Sequence, residues 1–277
     1  MSNTKKIHYV QSANSLFNFM KEYQYLSQAL KDQRLSPRYC KENIEYLGLK
    51  EFKNICVLQK CFCDIPLHKI TEKGPVSKKD GSSEEELSHT DFYGEFGIAF
   101  SKDWCLEHNF QPVHYVNDNS YDMGKFKAIL YEEIQSDEDN DLVDDEVICR
   151  LGYLKPLWGT MSRYDEEYGE IDYNKNFHDE NEWRFIPDEN VVEKHQMQVI
   201  IANPYLMEDA MNINSVISEF EDICIKFKYS DIKYLIVPSK YDRINLINDI
   251  HKLEINDMEE MILISKIILL DDIKEDW

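Results

Sequence analysis

A chain of 277 residues, 43% apolar and 12% aromatic, has the material for one large packed core, which excludes a disordered or low-complexity polypeptide. Lys and Arg number 31 against 53 Asp and Glu, a formal charge of −22. That balance excludes direct, non-specific binding to a phosphate backbone and suits a basic partner, although net charge also serves simply to keep a soluble protein dispersed.

In chain order, residues 7–10 read as a short strand. A helix is expected next, capped by Ser12 or Asn14, with Leu16, Phe19, Met20, Tyr23, Leu26 and Leu30 at helical 3–4 spacing. Arg34-Leu35-Ser36-Pro37 stops it and leads into a second extended piece. VLQKCFCDI, residues 57–65, is β-branched and aromatic, a strand ending at Pro66. Residues 72–88, rich in Gly, Pro, Ser and mixed charge, read as a mobile surface loop. GEFGIAF, residues 94–100, is a strand whose glycines let another backbone or a ligand come close. Residues 125–134 are helical. The acidic run at 136–146 lacks the Gly and the terminal Glu of an EF-hand and reads as a solvated linker. Residues 162–176 read as a Tyr- and Asp-rich loop.

The last third changes character. QMQVIIANP is a strand, residues 213–227 a helix, IKYLIVPS a strand and YDRINLINDIHKL a helix, and EMILISKIILLDD is β-prone. The expectation is therefore an α+β protein, a mixed β-sheet core flanked by helices. Residues 1–190 would form the main unit, with its acidic loop near 136–146, and residues 191–277 a C-terminal α/β portion packed on the same sheet.

The densest stretch is FHDENEWRFIP, residues 177–187. Glu180, Glu182 and Arg184 recur there at every second position, so in a strand they share one face while Trp183 and Phe185 take the other. Two readings stand: an internal Glu182–Arg184 ion pair, or a carboxylate whose ionisation is tuned by desolvation for work on a substrate. Asp64 ends an apolar strand, a place for a cleft carboxylate or a turn cap. His89 and Tyr93, four apart, share a face of a helical turn and suit a ligand's phosphate or hydroxyl, or each other. Cys61 and Cys63 form a single C-x-C without the second ligand pair of a structural zinc site, so they read as small core residues and no metal is expected. The usual phosphate-loop, dinucleotide, zinc-protease and nucleophile-elbow signatures do not occur.

Seven cysteines, an odd number, with no apolar leader in MSNTKKIHYV, point to free thiols in a reducing cytoplasm. No run reaches the roughly 18 apolar residues of a membrane span. The closest, residues 261–270, is broken by Lys266 and reads as a buried strand or helix.

IHYVQSANSLF (7–17), CFCDIPL (61–67), HTDFYGEFGIAFSKDW (89–104), QPVHYV (111–116), YLKPLWG (153–159) and FHDENEWRFIP, in that order, resemble the AbiGi family of bacterial abortive-infection, phage-resistance proteins. The resemblance covers roughly residues 7–190, with a weaker continuation at IKYLIVPS. It implies the antitoxin component of a toxin–antitoxin-like pair, with a cognate toxin as partner and no cofactor. The order of strand, helix, aromatic middle and late Glu-bearing strand is also similar to ADP-ribosyltransferase-like folds. That looser similarity implies His8 gripping NAD, Glu182 or Glu180 as the catalytic carboxylate, and Tyr39 or Tyr93 stacking the nicotinamide. The middle Ser-Thr-Ser or paired-Tyr motif of those folds is missing. The leading expectation is a cytoplasmic antitoxin that binds a basic toxin. The alternatives are an ADP-ribosyltransferase-like enzyme and a sensor subunit that recognises a phage product.

Overall fold

The computed structural model describes residues 12–49, 52–136, 150–165 and 168–276. The first part runs β1 (Ser15–Met20), α1 (Tyr23–Asp32), β2 (Arg34–Leu35), β3 (Arg38–Asn43), β4 (Asn54–Cys63), β5 (Gly74–Lys78), β6 (Glu84–Leu87), α2 (His89–Tyr93), β7 (Phe96–Ser101) and α3 (Lys102–Glu107). The middle holds β8 (Gln111–Pro112), β9 (His114–Val116), α4 (Tyr121–Ser136), β10 (Leu154–Pro156), β11 (Trp158–Asp165), β12 (Gly169–Asn176) and β13 (Glu182–Phe185). The remainder is α5 (Glu189–Glu193), β14 (Ile200–Ile201), α6 (Pro204–Ile213), β15 (Ile225–Lys226), β16 (Ile232–Val237), α7 (Lys240–Ile250), α8 (Asp257–Ser265), β17 (Ile267–Leu269) and α9 (Leu270–Asp276).

The α+β expectation is met by a mixed sheet in the order β17-β16-β7-β1-β4-β13-β8, with β3 and β14 also on β4. Only β16 and β17 run parallel within it. The axis is β4, ten residues long. Its first half pairs with β3 and β14 and its second half with β1 and β13, so it organises both ends of the sheet. Alternate side chains of β4 take opposite faces. On one face Phe62 joins the main core with Leu16, Ile98, Phe100 and Leu235, closed by Leu26 and Leu30 of α1 and Leu246 of α7. Cys56 and Leu58 join a second cluster with Tyr39, Val192 and Ile217 on that face. On the other face Ile55 and Val57 pack with Leu47 and Leu130, and Cys63 packs with Phe17, Ala99 and Ile236. Between those two apolar clusters lie Gln59 and Cys61. The charged site is built over that gap.

Local chemistry explains the elements. Leu26, Ala29 and Leu30 give α1 a buried stripe at i, i+3 and i+4, and each fully buried Leu contributes about 1.5–3 kcal/mol. Gln33, left-handed at φ 50°, ends it by donating its N–H to the carbonyls of Ala29 and Leu30. Ser88 and Asp91 close a capping box at α2, and Asn256 and Glu259 close another at α8.

Several expectations need correction. Leu16, Phe19 and Met20 lie in β1, not in the first helix, which begins at Tyr23. β1 sits between β4 and β7 with Leu16, Phe17 and Met20 buried, and a central strand buried on both faces shows no period-2 alternation to betray it. The expected loops at 72–88 and 162–176 are instead hairpins, joined as a four-stranded sheet in the order β11-β12-β5-β6. Their polarity is that of a half-exposed ladder, in which Lys78 pairs with Glu85 at 3.0 Å and the buried Tyr173 donates to Glu85 at 2.9 Å. The helix expected at 213–227 is a 3₁₀ turn at Ile217–Glu219 followed by β15. EMILISKIILLDD divides into helix, strand and helix around Lys266. The strand expected at 7–10 and the acidic run from residue 137 fall outside the described residues.

The close approach expected at the glycines is made by the chain's own backbone. Gly94 has φ 104°, and a Cβ there would lie 2.1 Å from the Met20 carbonyl oxygen. Gly94→Ala is expected to cost at least about 2 kcal/mol, because backbone strain and overlap with a central strand act together. Urea unfolding reads this directly; a loss under about 0.5 kcal/mol would mean that α2 is not held against β1.

Candidate functional site

The segment 177–187 is not one extended strand. Asn176 accepts from the His178 N–H and starts a 3₁₀ turn at Phe177–Glu180, and Asn181, left-handed at φ 43°, redirects the chain into β13. Glu182 and Arg184 share a face of β13, opposite Cys63 and Cys61 of β4. Glu180 reaches the same place from the turn. Trp183 and Phe185 point the other way and pack on the main core. Both faces are therefore inside the protein, and the alternation separates an apolar layer from a buried ionic one.

Arg184 is 0% exposed and makes the centre of the ionic layer. Its Nε donates to Glu182 Oε1 at 2.7 Å, Nη1 to the Gly152 carbonyl at 2.7 Å and Nη2 to Glu42 Oε1 at 3.0 Å. Lys155, from β10, donates to Glu182 Oε2 at 2.7 Å and Glu180 Oε2 at 3.0 Å, with its ammonium 4.4 Å from the Phe177 ring. Lys175, from β12, sits 2.7 Å from Glu180 Oε1 and over the rings of Phe92 and Tyr93. The Tyr93 hydroxyl donates to the same Glu180 oxygen, and the Glu182 N–H donates to the Tyr115 hydroxyl at 2.8 Å. Gln59 completes the ring by donating to Glu42 at 2.8 Å. Three cations, Lys155, Lys175 and Arg184, thus face three carboxylates, Glu42, Glu180 and Glu182. The cluster is neutral within itself.

The ionisation of these groups follows from that pairing. Burial alone would raise the Glu182 carboxyl, but Arg184 and Lys155 hold it far below the ordinary carboxylate range. Burial works against Glu180 in the same way, and Lys155 and Lys175 bring it down to about 2. Burial would lower the Lys155 ammonium, yet Glu180 and Glu182 keep it well above its usual value. His89 behaves oppositely. Half-buried beside the cluster, it is pushed down to about 3 by burial and then by Lys175, so it is neutral at pH 7. Glu180 and Glu182 are thus held as carboxylates, and Lys155 and Arg184 as cations, at neutral pH.

The residues singled out from the sequence are partly brought together. Glu180, Glu182, Arg184 and Tyr93 meet in the cluster, and Glu182 with Arg184 is an internal ion pair. His89 and Tyr93 form a ring contact, centroids 4.5 Å apart, with Phe19 edge-on to His89. Asp64 is buried apart from them in an ion pair with Lys102 at 2.5 Å, and its N–H donates to the Asn181 carbonyl. Tyr39 is on the opposite face of the sheet, a core residue whose hydroxyl donates to the Gln198 carbonyl at 2.5 Å. Its partner on β4, Leu58, is out of step with Cys61 and Cys63, which is why Tyr39 cannot face Glu182. His8 lies outside the described residues. Of the described members of the NAD-binding set, Glu180, Glu182 and Tyr93 meet in the cluster, and Tyr39 lies apart from them. Lys155, Lys175, Glu42, Gln59 and Tyr115 were missed by sequence reasoning. Lys155 and Tyr115 carried a signal, as residues inside YLKPLWG and QPVHYV.

A family model described as "Putative abortive phage resistance protein AbiGi, antitoxin" matches residues 73–238. The abortive phage resistance protein AbiGi of Lactococcus lactis subsp. cremoris is 34% identical over 262 residues, covering 87% of this chain and 98% of that protein. The chain belongs to the AbiGi family. The resemblance carried by residues 89–104, 153–159 and 177–187 thus falls inside the matched region, and so do Lys155, Lys175, Glu180, Glu182 and Arg184. No solved structure matches. Among the described residues no helix is long and apolar enough to cross a membrane.

Proposed function

We propose that this AbiGi-family chain is the antitoxin of an abortive-infection pair and acts by binding a cognate toxin, which is basic. The observation that carries the reading is the antitoxin description of the family whose model matches residues 73–238. The charge of −22 supports it, because an acidic surface speeds encounter with a basic protein and makes the encounter sensitive to salt. The ionic cluster supports a binding role over a catalytic one, since every oxygen of Glu180 and Glu182 is already engaged by a cation of the same chain.

The test is growth. The chain expressed alone is expected to leave growth and intracellular NAD unchanged, and to relieve the arrest caused by its toxin. The purified pair should associate at low salt and weaken by at least about tenfold between 50 and 300 mM salt. Growth arrest with NAD loss from this chain alone, abolished in a folded Glu182→Gln variant, would replace the reading with an ADP-ribosyl-transfer enzyme.

A further inference from the structure

Helix α8 is apolar on the wrong side for a helix of an isolated protein. Its inner face is accounted for by Leu263, 1% exposed, and Ile264, both packed on the main core. Yet Met258 is 61%, Met261 58% and Ile262 47% exposed. Residues at i, i+3 and i+4 lie on one stripe of a helix, so these three form a continuous outward ridge opposite the buried face. Nothing in folding requires them to be apolar. Two of the three are methionines, whose flexible thioethers adapt to the surface they meet.

The charges around the ridge specify what would cover it. Asp257 and Glu259 flank it, one on each side, and Glu254 lies just before the helix; all three are exposed. Asp257 and Glu254 have no ion-pair partner among the described residues. Residues 240–276 as a whole hold ten Asp and Glu against five Lys and Arg, 5 − 10 = −5. A second copy of the chain would set one acidic rim against another at a total charge of −22 each, which is unfavourable. A convex ridge with i, i+3, i+4 anchors needs a concave, apolar groove, and its acidic flanks need a basic margin around that groove.

Resting on the antitoxin reading, we infer that α8 is the toxin-docking element: Met258, Met261 and Ile262 insert into an apolar groove on the toxin whose rim carries Lys and Arg facing Asp257, Glu259 and Glu254. Apolar anchors at the centre of an interface carry most of its binding energy, while the rim charges set the encounter rate and its response to salt.

The probe is the toxin whose growth arrest the wild-type chain relieves. Its affinity is measured for the wild type, for a triple variant with Met258→Ser, Met261→Ser and Ile262→Ser, and for a Tyr205→Ser/Leu206→Ser control on the exposed face of α6. All three replaced side chains on α8 are exposed, so the triple variant should keep the wild-type unfolding midpoint. At least about 30-fold weaker binding by the triple variant, with the control within threefold of wild type, is expected. Glu254→Lys with Asp257→Lys should slow association about tenfold at low salt and flatten its salt dependence. Equal affinity of the triple variant and the wild type would overturn the docking assignment while leaving the antitoxin reading intact. Equal weakening of the control would overturn it as well, as would a wild-type homodimer that the triple variant abolishes. If the wild type relieves no toxin, the antitoxin reading itself fails, and the docking assignment falls with it.

Discussion

Arg184→Met is expected to destabilise the protein by about 3–5 kcal/mol at pH 7, a large part of the roughly 5–15 kcal/mol that separates a folded domain from its unfolded chain. The reason is less the loss of attraction than what remains behind. Arg184 is fully buried and, among the described residues, is the only cation paired with Glu42, and it shares Glu182 with Lys155. Its removal leaves carboxylates on β3 and β13 facing each other with one positive charge too few, and the Gly152 carbonyl loses its donor. Lysine in the same place keeps the charge but cannot reach Glu182, Glu42 and Gly152 at once, so Arg184→Lys should recover only part of the loss. A partner removal should help more: Glu182→Gln added to Arg184→Met is expected to cost less than the sum of the two single changes by at least about 1 kcal/mol, the signature of residues acting as a unit. Urea midpoints at constant slope measure all of these. A cost under about 1 kcal/mol for Arg184→Met would show that the six charges are independent pairs and that β13 is held by its apolar face alone.

That cluster also shows where reading the sequence succeeds and where it stops. Period two in ENEWRF is enough to put Glu182 with Arg184 and to separate them from Trp183 and Phe185, because alternation is a local property of a strand. It carries no information on what lies across the sheet. Glu42 reaches Arg184 from 142 positions away, and Lys155 and Lys175 reach Glu180 from β10 and β12, on either side of β11 in the chain. Such partners depend on register and tertiary packing, which a local pattern does not encode. Lys175 was further hidden because residues 162–176 have loop-like composition, although their ladder makes every pair from Trp158–Asn176 to Asp165–Gly169. The reverse error occurs in β1. Leu16, Phe19 and Met20 happen to satisfy helical spacing, and a strand buried on both faces leaves no contrary signal. The C-terminal units YDRINLINDI and IKYLIV were legible because one is capped by Ser239 and the other is a short apolar, β-prone run with Lys233 as its one charge. The exposed ridge of α8 was not, since residues 261–270 look apolar whichever side faces out.

The two layers beneath the site also predict how stability varies with pH, and the sign separates His89 from the carboxylates. His89 lies among Phe19, Tyr93 and the ammonium of Lys175, and it is held neutral down to about pH 3. In the unfolded chain the same imidazole takes up a proton near pH 6.5. Between those values the unfolded state binds one more proton than the folded state, so the contribution of His89 is complete above pH 6.5 and drains away as pH falls. Glu180, brought down to about 2, has the same direction but a later window, from about 4.5 downwards. Between pH 6.5 and 5 the two do not overlap. Over that interval His89 alone is expected to remove up to about 2 kcal/mol, at roughly 1.4 kcal/mol per pH unit. His89→Phe, which keeps an aromatic ring against Phe19 and Tyr93, should flatten the unfolding free energy across this range while leaving the steeper loss below pH 4.5 in place. An unchanged slope in that variant would mean that protonated His89 is accommodated beside Lys175. The ionic layer would then be open to solvent at the α2 side, and the saturation of Glu180 and Glu182 would no longer argue against a bound ligand there.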